Sequence, residues 1–381
     1  MRLVLVTQDF PPARGGIQTW ALEIARRLAS RCERFAVVAP AADGREADDA
    51  ALGFRVIRTG TSNTLVLASA PTLARLATRD GFDHTLHAQW STAPAARVLR
   101  RFGKIGRVAI AAHGRELLLE PWARVGTAQR GYDRVRRREL AAADCVLAGS
   151  RYTAELARGL GADPARVLVT RYGTDPERFR PRDATELRAR LELGARPVLL
   201  TIARLVPRKG IDSVLGALAE VRRAIPDVVY VIAGDGPDRE RLEALVRRGG
   251  LEAAVRFAGA IADDELPTWY SLGDVFVMPS RSEAPDVEGF GIVFLEAAAC
   301  ERPVVAARAG GVPDAVADGV TGLLVEPGDE RGLARALAEL LADPARRAEL
   351  GRRGRERVLR ELTWEAVANA TFAALSGPSR V

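Results

Sequence analysis

The sequence is poor in cysteine, histidine and lysine. Its 381 residues include three cysteines, three histidines and no Cys-x-x-Cys motif. These numbers predict neither a disulfide framework nor a metal centre built from histidine or cysteine, and they indicate a cytoplasmic protein with reduced thiols. Lysine occurs only at Lys104 and Lys209, although lysine and arginine together number 56. An arginine excess is typical of a GC-rich genome, so each retained lysine becomes a candidate functional residue.

Long apolar runs are also absent. No stretch approaches the roughly 18 apolar residues of a transmembrane helix. The opening run MRLVLVTQDF reaches Asp9 too soon to form the apolar core of a signal peptide. We therefore expect neither a transmembrane helix nor a signal peptide.

Hydrophobic residues make up 48% of the chain and charged residues 28%, a balance that indicates a globular protein rather than a disordered one.

The net charge of +7 is unevenly distributed, with +10 in residues 1–178 and −3 in residues 179–381. A basic half suits an anionic partner, such as nucleic acid, an anionic membrane surface or a phosphorylated substrate. A nucleic-acid platform interleaves aromatic and basic side chains, whereas the aromatic residues of this half are scattered singly. We therefore expect no nucleic-acid partner.

Short apolar runs alternate with amphipathic segments along the chain. This alternation predicts an α/β protein with doubly wound parallel sheets. The proline-rich, charged segment 173–197 separates two sets of strands, so we expect two Rossmann-like domains. The predicted strands are 2–7, 35–40, 54–59, 107–113 and 145–150 in the first set, and 197–203, 228–234, 255–259, 275–279, 303–307 and 322–326 in the second.

We expect an N-terminal domain over 1–178, a C-terminal domain over 179–362 and a helix over 363–381 that returns to the first domain. The segment from about Leu333 predicts helices that break at Asp343-Pro344 and at Gly351–Gly354. Ligands of open α/β sheets bind outside the carboxyl ends of the strands. With two facing sheets, we expect the site in the cleft between the domains.

The loop Phe10–Gln18, FPPARGGIQ, follows the first predicted strand. Gly15 and Gly16 allow a ligand to approach the backbone closely, and the helix behind them directs N–H groups at an anion. The loop lacks the third glycine of a dinucleotide-binding fingerprint, so it does not indicate NAD. A tight turn without a ligand is the structural alternative.

A second motif, ARLVPRKG, follows a strand of the second set and places Arg204 five residues before Lys209. Both cations can reach one diphosphate, because arginine binds two oxygens and lysine adds a compact charge. Two solvated surface cations are the alternative interpretation.

The most specific motif is EGFGIVFLE, in which Glu288 and Glu296 flank a glycine-rich turn that opens an apolar helix. The free N–H groups of Gly289–Ile292 can bind phosphate and sugar oxygens. A carboxylate suits neighbouring sugar hydroxyls because it accepts several hydrogen bonds. An exposed helix with two surface acids is the structural alternative.

These motifs occur together with His113-Gly114, IAGDGP and VRFAGAI, in an order and spacing that resemble the family-four retaining glycosyltransferases of the GT-B fold. The resemblance covers essentially the whole chain. FPPARGGIQ and the insert PDVEGFGI are most similar to the actinobacterial phosphatidylinositol mannosyltransferases, particularly the branch that adds the second mannose from GDP-mannose.

The resemblance implies a role for each matching position. Arg204 and Lys209 would bind the donor diphosphate, and Gly16 would approach it from the other domain. Glu296 would bind the ribose, Glu288 the donor sugar, Ile261 and Asp263 the base, and His113 the transferred sugar. The predicted catalytic residues are His113, Arg204, Lys209 and Glu288; the predicted donor-binding residues are Gly15, Gly16, Arg204, Lys209, Ile261, Asp263, Glu288, Gly289, Phe290, Gly291, Ile292 and Glu296.

No Asp-x-Asp triplet occurs in the sequence, so we expect catalysis without a metal and without a further cofactor. The nucleotide-sugar donor, by resemblance GDP-mannose, is a co-substrate. The resemblance implies retention at the sugar carbon, with same-face attack as the family route, since no nucleophile for a double displacement is recognisable.

The basic first half suggests an acceptor at an anionic membrane. Two arginine-rich clusters lie near helical spacing, and a basic face with apolar neighbours can rest on such a surface. This predicts an anionic glycolipid acceptor and a cytoplasmic protein peripheral to the inner face of the plasma membrane. Solvated arginine faces are the alternative. The clusters comprise Arg97, Arg100, Arg101, Lys104 and Arg107, and Arg130, Arg134, Arg137 and Arg138.

Other functions stay open at this point. A UDP-sugar-dependent enzyme acting on a polysaccharide or small polyol shares the motifs, and a nucleotide-sugar epimerase shares the architecture. The acceptor loops, around 41–50, 60–70 and 114–128, carry no recognisable motif, and the oligomeric state leaves no signal in the sequence.

Overall fold

The structure is a computed structural model that describes residues 1–13, 15–42, 44, 46–118, 127–281 and 286–377. It divides into two compact units, one formed by Met1–Tyr172 with Trp364–Val381 and the other by Gly173–Thr363. The boundary therefore precedes residue 173 rather than following 178. Within the second unit, the backbone N–H of Thr174 donates to the Leu362 carbonyl, so the first residues of this unit pair with its last.

In the described part of the first unit, seven parallel strands form one sheet in the order β3-β2-β1-β4-β5-β6-β7. Strand β5 consists mainly of aliphatic residues and is buried along its entire length, as expected for a parallel strand covered on both faces. The strands are β1 (Arg2–Val6), β2 (Arg34–Ala39), β3 (Arg55–Arg58), β4 (His84–His87), β5 (Arg107–Ala112), β6 (Cys145–Ala148) and β7 (Val167–Val169).

Helices connect successive strands of this sheet, and their apolar sides complete the core. In α1, the residues that face inward recur at helical spacing, for example Trp20, Ile24 and Leu28. The helices are α1 (Gly16–Ala29), α2 (Glu46–Ala50), α3 (Leu65–Thr78), α4 (Pro94–Arg101), α5 (Arg115–Leu118), α6 (Thr127–Ala142) and α7 (Arg151–Gly159).

The described part of the second unit contains a parallel sheet of six strands in the order β10-β9-β8-β11-β12-β13. Its strands are β8 (Val198–Ile202), β9 (Val229–Ala233), β10 (Val255–Gly259), β11 (Val275–Met278), β12 (Val304–Ala307) and β13 (Gly322–Val325). Its helices are α8 (Thr185–Arg190), α9 (Ile211–Ala224), α10 (Arg239–Arg248), α11 (Leu266–Leu272), α12 (Ile292–Ala299), α13 (Val312–Ala315), α14 (Glu330–Ala342) and α15 (Pro344–Glu361). The last helix, α16 (Trp364–Ser376), belongs to the first unit and packs on α1.

The predicted break at Asp343-Pro344 coincides with the end of α14 and the start of α15. The Asp343 carboxylate caps the new helix by accepting from the Arg346 N–H at 2.9 Å. The predicted break at Gly351–Gly354 is wrong, because α15 continues through both glycines. A Cβ on Gly351 would lie 2.2 Å from the Glu301 carbonyl oxygen, so glycine here permits close packing beside α12.

The structure corrects one further expectation and adds two strands. Arg107, expected on a basic helical face, instead begins β5 and is buried, and its guanidinium donates to the carbonyls of Ala374 and Gly377. Strands β4 and β7 were not predicted, since they are short and β4 contains two histidines. Among the described residues, no helix is both long and apolar enough to cross a bilayer.

Candidate active site

The predicted donor-site residues of the second unit gather at one edge of its sheet. Arg204 follows β8 and Glu288 follows β11, and these strands are adjacent; Gly311, which the motifs did not indicate, follows the next strand, β12. In a parallel sheet the carboxyl ends of neighbouring strands share one edge, which is where open α/β folds bind ligands. The sheet order thus brings motifs that are distant in sequence to one place.

At this edge Lys209 forms an ion pair with Glu288. The Lys209 Nζ atom lies 2.6 Å from Glu288 Oε2, and both residues are only 9% exposed. Lys209 ends the 3₁₀ turn Pro207–Lys209, and Gly210, with φ of 68°, leads from that turn into α9. The motif therefore fixes the direction of the lysine relative to the sheet edge.

Arg208 provides a second cation to the same carboxylate. Its Nη1 lies 2.7 Å from Glu288 Oε2, and its Nε lies 3.2 Å from Asp286 Oδ1. Burial alone would raise the pKa of Glu288, but the two cations outweigh this effect and lower the pKa to about 2. Glu288 is therefore ionised at neutral pH.

Glu288 and Lys209 keep binding capacity for a ligand, and so does Arg204, which follows the neighbouring strand β8. Glu288 Oε1 accepts no hydrogen bond from a described residue, whereas Oε2 accepts two. Lys209 has three ammonium hydrogens and uses one for Glu288. Arg204 is exposed and forms no ion pair with any described residue. The site thus combines free cationic donors with a free carboxylate oxygen, as a sugar diphosphate requires.

The glycine-rich turn positions the N-terminus of α12. Gly291 adopts φ of 92° and precedes Ile292, the first helical residue. The Phe294 N–H donates to the Gly291 carbonyl at 3.1 Å, whereas the N–H groups of Ile292 and Val293 have no backbone partner among the described residues. The Glu288 carbonyl accepts from the Gly311 N–H at 2.9 Å, which ties the turn to the loop after β12. Phe290 is buried beneath the turn, whereas Gly289 is half-buried.

Glu296 lies inside α12, beyond the glycine-rich turn. Its Oε2 accepts from the hydroxyl of Tyr270 at 2.6 Å, and Tyr270 is fully buried. Burial raises the pKa of Glu296, which the Tyr270 hydrogen bond partly opposes. Its other oxygen forms no hydrogen bond with a described residue, so the carboxylate retains an acceptor for a hydroxyl pair.

The predicted base-binding residues follow β10. Ile261 is half-buried and Asp263 is exposed. The Asp263 carbonyl accepts from Arg178 Nη2 at 2.6 Å, which connects this loop to the start of the second unit. The backbone position of the loop is therefore fixed by an arginine that the motifs did not indicate.

In the first unit, His113 directly follows the carboxyl end of β5 and is 6% exposed. Its Nδ1 is hydrogen-bonded to the Tyr172 hydroxyl, and its ring packs edge-on against Trp20 at 4.9 Å between centroids. Burial lowers the pKa of His113 to about 4, opposed by the Ala88 backbone. The ring is therefore neutral at pH 7, and its buried Nε2 lacks a partner of hydrogen-bonding geometry among the described residues.

Glu116 holds the backbone at His113. Its Oε1 accepts from the N–H groups of His113 at 2.6 Å and Gly114 at 3.3 Å, while its Oε2 is buried without a partner among the described residues. Burial raises the pKa of Glu116 to about 7, despite these hydrogen bonds. This carboxyl group therefore titrates near neutral pH.

Gly15 and Gly16 lie at the start of α1, beside a polar network at the end of β1. A Cβ on Gly15 would lie 2.6 Å from Gln18 Oε1, so glycine leaves room for the Gln18 side chain. Gln18 Nε2 donates to Asp9 Oδ1 at 2.7 Å, and Gln89 Nε2 donates to Asp9 Oδ2 at 2.6 Å. Both glycines are exposed, as a ligand-contacting loop requires.

Some predicted positions lie outside the described residues. These are residue 14 of the FPPARGGIQ loop, residues 43 and 45, residues 119–126 of the expected acceptor loop, residues 282–285, including the first residue of the PDVEGFGI insert, and residues 378–381 of the expected C-terminal helix. The expected cleft between the domains stays a prediction.

Two units, each a parallel sheet flanked by helices, together with the cluster of cations and carboxylates at the carboxyl edge of the second sheet, indicate a glycosyltransferase of the GT-B fold. The structure is similar to sucrose-phosphate synthase from Thermosynechococcus elongatus, with a TM-score of 0.81 and 25% identity over 98% of each chain. The GT-B expectation is thereby confirmed.

Sequence comparison is more specific. Residues 14–178 match the model described as Glycosyltransferase Family 4, and residues 183–357 match Glycosyl transferases group 1. A Mycobacterium tuberculosis protein named GDP-mannose-dependent alpha-(1-6)-phosphatidylinositol monomannoside mannosyltransferase is 38% identical over 96% of both chains. A Mycolicibacterium smegmatis protein of the same name is 38% identical over 98% of both. The chain belongs to glycosyltransferase family four, as the motifs predicted.

Motif-based prediction missed the groups that orient the site residues. The ARLVPRKG motif assigns no role to Arg208, although the position of this arginine beside Lys209 is a usable signal. Tyr270 and Tyr172 carry no local signal, because each lies far in sequence from the residue it contacts.

Proposed function

We propose that this protein transfers mannose from GDP-mannose to a hydroxyl of a phosphatidylinositol mannoside, with retention at the sugar carbon. The observation that carries the proposal is the full-length similarity, 38% identity over 96% of the chain, to a mannosyltransferase named for this donor and acceptor. The cluster of Lys209, Arg208 and Glu288 supports it. A sugar diphosphate needs cations for its phosphates and a carboxylate that accepts hydrogen bonds from the sugar hydroxyls.

Within this proposal, each group acts on a different part of the donor. Arg204 and Lys209 bind the diphosphate and stabilise the negative charge that develops as it departs. The free N–H groups at the start of α12 add dipolar stabilisation. Glu288 orients the mannose through Oε1, while Lys209 and Arg208 keep that carboxylate ionised.

His113 and Glu296 complete the donor contacts of the proposal. The neutral His113 imidazole offers its Nε2 to the mannose, and Glu296 accepts from the ribose hydroxyls. The departing phosphate accepts the proton of the attacking hydroxyl, so no protein nucleophile is needed. We propose that the reaction requires no metal ion, since the cations named above carry the charge stabilisation.

The acceptor class also belongs to the proposal. The +10 charge of residues 1–178 favours an anionic glycolipid presented at the inner face of the plasma membrane, with the protein in the cytoplasm and peripheral to the bilayer. The names of the mycobacterial relatives favour phosphatidylinositol monomannoside over a polysaccharide or polyol.

The test is a transfer assay on the purified protein with radiolabelled GDP-mannose or UDP-glucose, with or without phosphatidylinositol monomannoside. We expect a labelled dimannoside only when GDP-mannose and the lipid are both present, at a rate unchanged by EDTA. The one-bond C1–H1 coupling of the new sugar should report the α configuration. Transfer from UDP-glucose but not from GDP-mannose would contradict the proposal. Conversion of the donor without any lipid acceptor would contradict it as well.

A further inference from the structure

An open groove on the first unit is lined almost entirely by arginine. It has a volume of about 500 Å³ and lies among the last turn of α4, the end of α6 and the turn before β7. We refer to it as the arginine groove; its charged lining consists of Arg97, Arg100, Arg101, Arg138, Arg166 and one acid, Asp144.

Carboxylates neutralise only part of this charge. Arg97 pairs with Glu139 at 2.8 Å, Arg100 with Asp144 at 2.5 Å, and Arg166 with Asp163 at 3.2 Å. Arg101 and Arg138 are exposed and form no ion pair with any described residue. Five guanidinium groups thus line the groove, and their three carboxylate partners, of which only Asp144 lines it, leave an excess of two positive charges.

A smaller cavity of about 190 Å³ adjoins the arginine groove through the shared residues Asp144 and Arg166. It is lined by Arg107, a guanidinium that is 6% exposed. Its Nη atoms donate to two backbone carbonyls, and its Nε is buried without a partner among the described residues. This buried cation adds to the positive charge beside the groove.

The arginine groove lies at the edge of the sheet opposite to His113. Arg107 begins β5 and His113 follows its end, so a whole strand, about 20 Å at roughly 3.3 Å per residue, separates them. The helix dipole stabilises arginine near a helix C-terminus, which would explain arginines at the end of a single helix. It does not account for five arginines from three segments around one space.

We propose that the arginine groove binds a phosphate ester, at a site separate from the glycosyl-transfer edge. Guanidinium groups bind phosphate oxygens in pairs, and a multiply charged ester offsets the mutual repulsion of the unpaired arginines. The ester comes from an anionic lipid headgroup or from a soluble phosphate. Phe102, 73% exposed, and Val98, 47% exposed, flank Arg101 and favour the lipid source.

The test compares the double variant Arg101→Gln/Arg138→Gln with a matched control, Arg223→Gln/Arg248→Gln, which removes two exposed arginines of the second unit that form no ion pair with a described residue. Both variants are sedimented with vesicles of phosphatidylglycerol and phosphatidylcholine and, separately, titrated with sn-glycerol 3-phosphate by calorimetry. Neither measurement uses a sugar donor, so the outcome is independent of the proposed transferase activity.

We expect wild type and control to bind phosphatidylglycerol vesicles alike, and the groove variant to bind about thirtyfold more weakly, since each basic residue at an anionic surface contributes roughly fivefold. A selective loss for vesicles alone identifies the lipid source, and a selective loss for glycerol phosphate alone identifies a soluble ester. Equal losses in both double variants, or no loss in the groove variant in either assay, would overturn the proposal.

Discussion

The Lys209 Nζ atom lies 2.6 Å from Glu288 Oε2, so one of only two lysines in the chain contacts the first glutamate of the EGFGIVFLE motif. The contact joins the loop after β8, which we propose to bind the donor diphosphate, to the turn before α12, which we propose to bind the donor sugar. It holds both groups in place before a donor arrives, which reduces the reorganisation needed on binding.

Replacing Glu288 by glutamine should destabilise the protein at neutral pH. The change leaves Lys209 buried without its anionic partner, and breaking a buried ion pair costs about 3 kcal/mol. The folded-state pKa of Glu288, about 2, lies below the ordinary value of 4.5. The stabilisation is therefore complete above about pH 4.5 and lost as the pH falls toward 2.

Thermal melting of wild type and Glu288→Gln across pH 7 to 3 checks this. The difference in melting temperature should shrink at the acidic end. A difference that stays constant with pH would show that the carboxylate charge contributes nothing.

Tyr172→Phe should lower kcat by about two- to tenfold and leave the donor KM nearly unchanged. The variant removes the hydrogen bond on His113 Nδ1, which positions the imidazole, and one hydrogen bond is worth about 0.5–1.5 kcal/mol. Tyr152→Phe, which removes a hydroxyl from α7, serves as the control. ¹⁵N NMR of the His113 ring should show a changed tautomer balance in Tyr172→Phe alone. Unaltered ring nitrogens would refute the positioning role.

The Glu116→Gln variant should gain stability relative to wild type as the pH rises. Burial raises the folded-state pKa of Glu116 to about 7, above its ordinary 4.5. The carboxyl group therefore contributes stability below about pH 4.5 and loses it as the pH rises through 7, by up to about 3 kcal/mol. Glutamine keeps the acceptor for the His113 N–H without an ionisable group.

Melting temperatures of Glu116→Gln and wild type at pH 5 and pH 8 check this, with the exposed Glu33→Gln as control. The Glu116 variant should gain relative to wild type at pH 8, and the control should not. A relative loss at pH 8 would contradict the assigned titration.

The sequence-based predictions succeeded where signals are local and failed where they depend on tertiary contact. Runs of aliphatic residues predicted strands such as β5 and β9 because a buried parallel strand is apolar throughout. The three-residue β7 is too short for such a run. The motifs indicated Lys209 and Glu288 separately, but only the sheet order joins them, and the Tyr172 contact with His113 spans 59 residues.

Gly351→Ala should destabilise the second unit by about 1–3 kcal/mol, because the new methyl group overpacks against the Glu301 carbonyl. Gly131→Ala is the matched control in α6, where a Cβ meets no atom of the described residues within 4 Å. That control should gain about 0.5–1 kcal/mol from helix propensity. Thermal melting checks both, and a shift of the same sign in the two variants would contradict the packing role of Gly351.

Isothermal titration of GDP-mannose into wild type and Lys209→Ala tests the diphosphate-binding role of Lys209 most directly. Glu288 keeps Arg208 as a partner in this variant, so the fold should persist. Loss of one charge-assisted hydrogen bond should weaken affinity by about tenfold to a hundredfold. Arg223→Ala, on the exposed end of α9, should bind like wild type. Equal affinity of Lys209→Ala and wild type would show that the lysine does not bind the donor.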